Sequence, residues 1–218
     1  MNIIVTGATG TAGSEVIRQA LLDEEISQVT ALVRTPLTVQ HPKLQSIIHT
    51  DFFNYTILKE TFKEHDACIW CLGISQNRVS KEEYVRITYD YTIEAAKSML
   101  ESNPSIGFIF LSGGGADSNE QKKMLFAKIK GKTENKLNSI GFKRLHHFRP
   151  NYIHSTFPGR KRKIEEKLLD PFAPLVYLMM PNIIIHVETL AKAMIKAAKY
   201  GAHKLILENK DIKNFVQQ

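Results

Sequence analysis

Short apolar runs alternate with stretches of helical spacing along the chain. Ile3–Thr6 precedes the amphipathic Ser14–Leu22. Val29–Val33, Ile47–Ile48 and Ala67–Leu72 follow, with helical Leu58–Phe62 before the last of them, and Glu83–Leu100 again has helical spacing. Gly107–Leu111 is strand-like, a polar-faced segment runs from Gln121 to Leu137, and Leu145–Phe148 ends at Arg149-Pro150. Strand-length runs bounded by turn residues, each linked to the next through a helical stretch, predict an α/β fold with a parallel sheet covered by helices on both faces. Beyond Pro150 the composition changes to a basic run (Arg160-Lys161-Arg162-Lys163), an apolar stretch punctuated by Pro171, Pro174 and Pro181, a strand-like Ile183–Val187 and an amphipathic helix Glu188–Lys199. Lys204–Leu207 reads as an edge strand. No internal repeat or low-complexity linker interrupts the pattern. The expectation is one domain over residues 1–218, with residues 150–185 a small C-terminal, substrate-side elaboration.

At 218 residues the chain suits one generous domain of the roughly 100–200 residue range. Its 43% hydrophobic and 23% charged residues exclude collagen-like or disordered classes. The balance of 29 Lys+Arg against 22 Asp+Glu, a net +7, favours anionic ligands without requiring nucleic acid. Two cysteines build no disulfide framework, the N-terminus lacks a signal-peptide pattern, and the uncharged stretch Pro171–Val187 is broken by prolines, Asn182 and His186. A soluble, cytoplasmic protein is expected, without membrane or nucleic-acid partners.

The chemistry is densest at the start. Ile3-Ile4-Val5 runs into Thr6-Gly7-Ala8-Thr9-Gly10-Thr11-Ala12-Gly13 and then into a helix. Glycines three apart in a β-to-α turn permit positive φ, admit a pyrophosphate to the backbone and let helix pack close to strand, while the helix N-terminus offers free N–H groups to the anion. The strand before and helix after make this a Rossmann-type, doubly wound dinucleotide site, with Gly7, Thr9, Gly10, Thr11, Ala12 and Gly13 as its cradle.

At the end of the second strand such folds usually carry an acid for the ribose 2′-hydroxyl. Here Ala31-Leu32-Val33 leads to Arg34 and Thr35. A carboxylate repels a 2′-phosphate, whereas a guanidinium forks two hydrogen bonds onto it, so the expected cofactor is NADP(H) in preference to NAD(H).

These features, with Asp51 after the third strand, Phe148-Arg149-Pro150-Asn151-Tyr152-Ile153 and Ile185-His186-Val187, resemble the atypical short-chain dehydrogenases/reductases. Within them the chain is most similar to the NAD(P)-binding NmrA-like and Tat-interacting oxidoreductase-like groups. The resemblance covers nearly the whole chain. It implies that Asp51 sits by the adenine, that Cys71-Leu72-Gly73 forms the turn beside the cofactor ribose, and that Pro150 and Asn151 lie along the cofactor. It also implies a catalytic serine at the end of the fifth strand that steadies the substrate oxygen, which points to Ser112, and a Tyr-x-x-x-Lys helix whose lysine binds the nicotinamide ribose and lowers the tyrosine pKa, which points to Lys130 as both a catalytic and a cofactor-binding residue. Position 126, where that motif has its tyrosine, is Phe. Phe126 neither donates nor accepts a proton. Tyr55 and Tyr200 also precede a lysine by four residues but fall on the adenine side and at a glycine-broken C-terminal turn; Tyr84, Tyr152 and His154 are other candidate proton sources. The expected activity is an oxidoreductase acting on a small carbonyl or alcohol. The alternative is an NADP(H)-binding redox sensor or regulator, weak or inactive in turnover, that contacts a protein partner. Both monomer and dimer remain open.

Other features read as structure. Cys68 and Cys71 are three apart in a strand and face opposite sides of the sheet, so they share no metal and close no disulfide. The run Arg160–Lys163 is followed at once by Glu165-Glu166 and has no interleaved aromatics, which marks a solvated surface rather than a nucleic-acid site. His146 and His147 are strand neighbours facing apart, and His186 reads as a core or pocket-edge histidine. Phe172–Met180 either lines an apolar cleft or packs on the sheet.

Overall fold

The computed structural model describes residues 1–155 and 183–217. Seven strands form a parallel sheet in the order β3-β2-β1-β4-β5-β6-β9: β1 (Asn2–Thr6), β2 (Gln28–Val33), β3 (Leu44–Ile48), β4 (Ala67–Trp70), β5 (Gly107–Leu111), β6 (Leu145–Arg149) and β9 (Ile206–Glu208). The two remaining strands, β7 (Tyr152–His154) and β8 (Ile184–His186), pair in parallel as a separate ribbon. The strand-like 183–187 run therefore contributes to this ribbon and not to the main sheet. The basic run 160–163 and the apolar stretch 172–180 lie outside the described residues.

Side-chain alternation along the central strands divides the core into two layers. Ile3, Val5, Ile69, Ile109 and Phe148 point to one face, where α1 (Thr11–Leu22) and α6 (Val187–Tyr200) cover them. On that face Ala191, Ala193, Ala197 and Ala198 are all buried and let α6 come close to its neighbours. Ile4, Cys68, Trp70, Phe108 and Phe110 point to the other face, beneath α2 (Lys59–Lys63), α4 (Tyr91–Ser102) and α5 (Leu125–Asn138). This two-sided burial is why these strands are nearly continuous apolar runs. Cys68 and Cys71 belong to opposite layers, as their spacing requires; Cys68 is fully buried, whereas Cys71 at the strand end is only partly so.

The helical stretch after β4 is α3 (Lys81–Val85), a π turn over Arg86–Asp90, and α4. Ser80 caps α3, its hydroxyl accepting the Glu83 N–H at 3.1 Å. The polar segment after β5 becomes helical only at Leu125. Asp117 accounts for the late start: its carboxylate accepts the N–H groups of Asn119, Gln121 and Lys122 at 2.7–3.1 Å and winds the preceding residues into a loop. α7 (Asn209–Gln217) closes the chain against α6.

Candidate functional site

Strand order reverses beside β1, whose neighbours are β2 and β4 with Thr6 in register with both Leu32 and Trp70. In an open parallel sheet this reversal leaves a crevice outside the carboxyl ends of the strands. The glycine turn stands at its mouth. Gly7 has φ +67°, and an added Cβ would overlap the Cys71 carbonyl, with Leu72 N only 2.9 Å away. A Cβ on Gly13 would lie 2.7 Å from the Gly7 carbonyl carbon, so α1 packs on the turn by virtue of having no side chain there. The turn is closed by Gly10 N–H donating to the Gly7 carbonyl at 2.8 Å. Thr6 ties β1 to the turn after β4, its hydroxyl accepting the Cys71 and Leu72 N–H groups at 3.1 Å each. Gly10 is the N-cap of α1 and no side chain caps that end, so the first-turn amides around Thr11, Ala12 and Gly13 form the kind of helix start that receives an anion.

A cavity of about 340 Å³ opens from this turn to the tip of β2, within the roughly 300–1,000 Å³ of small-molecule sites. Its walls are Gly7, Ala8 and Thr9 on one side, Leu32 to Thr35 on another, and Phe52 and Leu72. Arg34 is exposed and, among the described residues, makes no ion pair. Asp51 itself does not line the cavity. Its carboxylate accepts the Phe53 N–H at 3.0 Å and its carbonyl the Asn54 N–H at 3.1 Å, a turn that presents Phe52 to the cavity wall. Behind Phe52, Tyr91 stacks at 5.3 Å between ring centroids. Gly73 stands in open space next to Leu72.

The opposite end of the crevice lies over the tips of β4 and β5. Lys130, on α5, is only 7% exposed; its ammonium donates to the Leu111 carbonyl at 2.9 Å and lies 4.6 Å from the centroid of the Phe110 ring. Burial pulls its pKa down to about 8, against the opposing influence of Glu134 and Cys71. Burial also pushes the Cys71 thiol up to about 12, so it stays protonated. Ser112 stands at the end of β5 as its position implied, but its hydroxyl donates to Glu134, a residue 1% exposed. Arg149 clamps the same carboxylate through Nε (2.9 Å) and Nη2, and reaches Ser118 Oγ at 2.7 Å and Glu208 at 3.3 Å. In this arrangement the Ser112 hydrogen is directed to the carboxylate of a buried ion pair.

Phe126 sits one turn before Lys130. A Cβ on Gly113 would lie 2.5 Å from its Cζ, nearer than to any other ring atom, so the tip of the ring abuts the Gly113 backbone. The Phe126 N–H donates to the Gln76 side chain at 2.9 Å, which joins the loop after β4 to the start of α5. Gly114 is held against residues 150–151: its N–H donates to the Pro150 carbonyl at 2.7 Å, and the Asn151 side chain lies where a Cβ would be. Pro150 is buried and Asn151 exposed. Of the other tyrosines, Tyr84 is buried within the helical layer and Tyr55 among aromatics beside His49, with burial raising the pKa of both phenols. Tyr152 and His154 lie on β7, and His186, exposed rather than in the core, neighbours His154 at 5.4 Å between ring centroids.

Glu134, Gln76 and Phe52 were not singled out from sequence. A strand-borne Arg149 ahead of Pro150, on a run that reads as buried, is the signal that an acid must meet it. Nothing in the local pattern marks Gln76. Among the described residues, no group of three or more His, Cys, Asp or Glu side chains forms a metal cluster, and no helix is long and apolar enough to cross a membrane.

Turn, crevice and doubly wound sheet define a dinucleotide-binding protein with the fold of the short-chain dehydrogenases. The NAD(P)H-binding family matches residues 7–138, which holds the glycine turn, Arg34, Ser112 and Lys130, and the chain belongs to that family. It is similar to Protein HTATIP2 of Rattus norvegicus, at 26% identity over 97% of this chain and 87% of the relative. It is also similar to Protein FMP52, mitochondrial, of Candida albicans, at 26% identity over 65% of this chain and 62% of that protein. Among solved structures, the Bordetella bronchiseptica enzyme WbmH in complex with NAD+ superposes with a TM-score of 0.70 at 13% identity, over 98% of this chain and 79% of that one. The UDP-N-acetylglucosamine 4-epimerase of Bacillus cereus gives 0.68 at 16% identity, over 98% and 83%. These structures share the fold.

Proposed function

We propose that the protein is an oxidoreductase of the short-chain type that binds NADP(H) in preference to NAD(H) and acts on a small carbonyl or alcohol. The observation that carries the cofactor preference is the cavity at the tip of β2, walled by the unpaired Arg34 and by Thr35 with no carboxylate among its lining residues. A 2′-phosphate there meets a guanidinium able to fork onto two of its oxygens. The glycine turn and the uncapped start of α1 hold the pyrophosphate. Lys130 stands at the chemical end. A bound reduced nicotinamide supplies hydride; the protein's part is to hold the carbonyl against it and provide a proton.

One observation favours a second reading, a dinucleotide-binding sensor or regulator that turns over slowly or not at all. Two groups that polarise a carbonyl in related folds are lost to that task, Phe126 for want of a hydroxyl and Ser112 through its bond to Glu134. Deuteride transfer separates the readings. NADPH deuterated at the transferable position is incubated with the protein and a panel of aldehydes and ketones, and products are read by mass spectrometry. Deuterated alcohol establishes the oxidoreductase; tight NADPH binding with no label in any product establishes the sensor.

A further inference from the structure

Resting on the oxidoreductase reading, we infer that Lys130 itself is the proton donor of this site, taking over the task of the absent phenol rather than assisting one. Its ammonium is fixed at the tip of β5, on the Leu111 carbonyl at 2.9 Å and over the Phe110 ring, where Cys71 at the end of β4 acts on it electrostatically. Phe126 and Lys130 share one face of α5, so the lysine is the next side chain along the same wall. The other candidate donors here are less suited: Ser112 gives its hydrogen to Glu134, and the Cys71 thiol, pushed up to about 12 by burial, is a far weaker acid than the ammonium.

The charged and titratable groups facing Lys130 are few. Glu134 on its own helix is engaged by Arg149 of β6, Cys71 at the end of β4 is neutral, and β5 offers only a carbonyl and an aromatic ring. Among the described residues Lys130 has no ion-pair partner to hold its proton. A buried ammonium without a counterion is an acid of useful strength near neutrality, in keeping with burial having pulled it down to about 8. In the direction of reduction, hydride from the nicotinamide adds to the carbonyl carbon and the π pair moves onto oxygen. That oxygen takes a proton from Lys130, breaking an N–H bond and forming an O–H bond. The neutral amine left behind is reprotonated by solvent.

Three readings on the native chain and on Lys130→Arg test this, with NADPH and para-nitrobenzaldehyde as probes. Arginine keeps the positive charge but releases no proton in the working range. NADPH binding, followed by its fluorescence, is expected in both proteins. The native hydride-transfer rate is expected to fall tenfold per pH unit above about pH 8, and in Lys130→Arg to drop by on the order of 10²–10⁴ without that limb. In carbon-13 lysine-labelled protein free of nucleotide, one resonance is expected to titrate near pH 8 and to be missing from Lys130→Arg. Absence of NADPH binding to the native chain would overturn the cofactor reading and this inference with it. Binding without NADPH consumption would overturn the oxidoreductase reading and this inference with it, whereas a native rate flat through pH 8, an undiminished rate in Lys130→Arg, or a Lys130 resonance titrating with the ordinary lysines would overturn the inference alone.

Discussion

Lys130→Met removes the buried charge that α5 sets against the tip of β5, and the structure sets both the sign and the size of the effect. Moving this lysine from 10.5 to about 8 means that the folded state holds the cation at a cost of ~3 kcal/mol, at about 1.36 kcal/mol per pH unit. Lys130 is only 7% exposed, so solvent screening takes little from that figure. Methionine gives up the hydrogen bond to Leu111 and the approach to Phe110, together worth about 1–2 kcal/mol. The variant should therefore be more stable than the native chain at pH 7 by about 1–2 kcal/mol, or about 2–8 °C in Tm for a chain of this size. The pH dependence is sharper still. Between about pH 8 and 10.5 the unfolded chain keeps the lysine proton and the folded chain has released it, so native stability rises with pH through that window. Below pH 8 both states hold the proton and the full cost applies. Urea unfolding of both proteins from pH 7 to 10.5 isolates the difference, since groups remote from Lys130 titrate alike in the two. Native stability relative to the variant should rise by ~3 kcal/mol across the window, turning a deficit at pH 7 into an advantage at pH 10.5. Parallel profiles, or a variant less stable at pH 7, would refute the picture of an unpaired buried ammonium.

Three other perturbations follow from the same geometry. Gly13→Ala forces a methyl into the Gly7 carbonyl, a backbone atom that has nowhere to retreat, and should cost about 2 kcal/mol or more and weaken NADPH binding; Gly73→Ala, in open space, should leave urea stability unchanged. Glu134→Ala strands the Arg149 guanidinium and frees the Ser112 hydroxyl, and chemical unfolding should show a loss of about 3–5 kcal/mol; a loss under about 1 kcal/mol would mean the pair is not buried as described. His147, fully buried with its pKa lowered to about 4, stays neutral in the fold while the unfolded chain takes up a proton below about pH 6.5. Native stability should accordingly drop by ~3 kcal/mol as pH falls from about 6.5 to 4, and His147→Phe should flatten that decline, leaving the contributions of His49, His65 and His146, whose pKa values burial also lowers.

The parts of the molecule that follow from local pattern were legible in the chain. β1, the glycine turn and α1 were readable because a central buried strand, a positive-φ turn and a close helix contact each demand particular residues. The apolar pattern predicts only Ile47–Ile48 of the edge strand β3, since Leu44 to Ile48 is largely exposed and carries no apolar run to announce pairing. The π turn over Arg86–Asp90 was invisible because its spacing reads as uninterrupted helix. The spacing predicts a helical segment from Gln121, because no periodicity records that Asp117 takes up the amides ahead of Leu125.

The candidate site divides in the same way. The phosphate cradle and Arg34 stood out as backbone and charge requirements within one β-α-β unit. The replacement at Phe126 was equally plain, but not that its ring would abut Gly113. The Ser112–Glu134–Arg149 network joins β5, α5 and β6, and a contact between residues so far apart in the chain exists only once the sheet has formed. Whether the serine hydroxyl points to a substrate or to a carboxylate is a tertiary fact.

Calorimetric titration of NADPH and NADH into the native protein and into Arg34→Asp tests the central claim most directly. The account predicts heat with both nucleotides, tighter binding of NADPH by the native chain, and a reversal toward NADH when the guanidinium becomes a carboxylate. A native chain that binds neither nucleotide, or a preference untouched by Arg34→Asp, would contradict it.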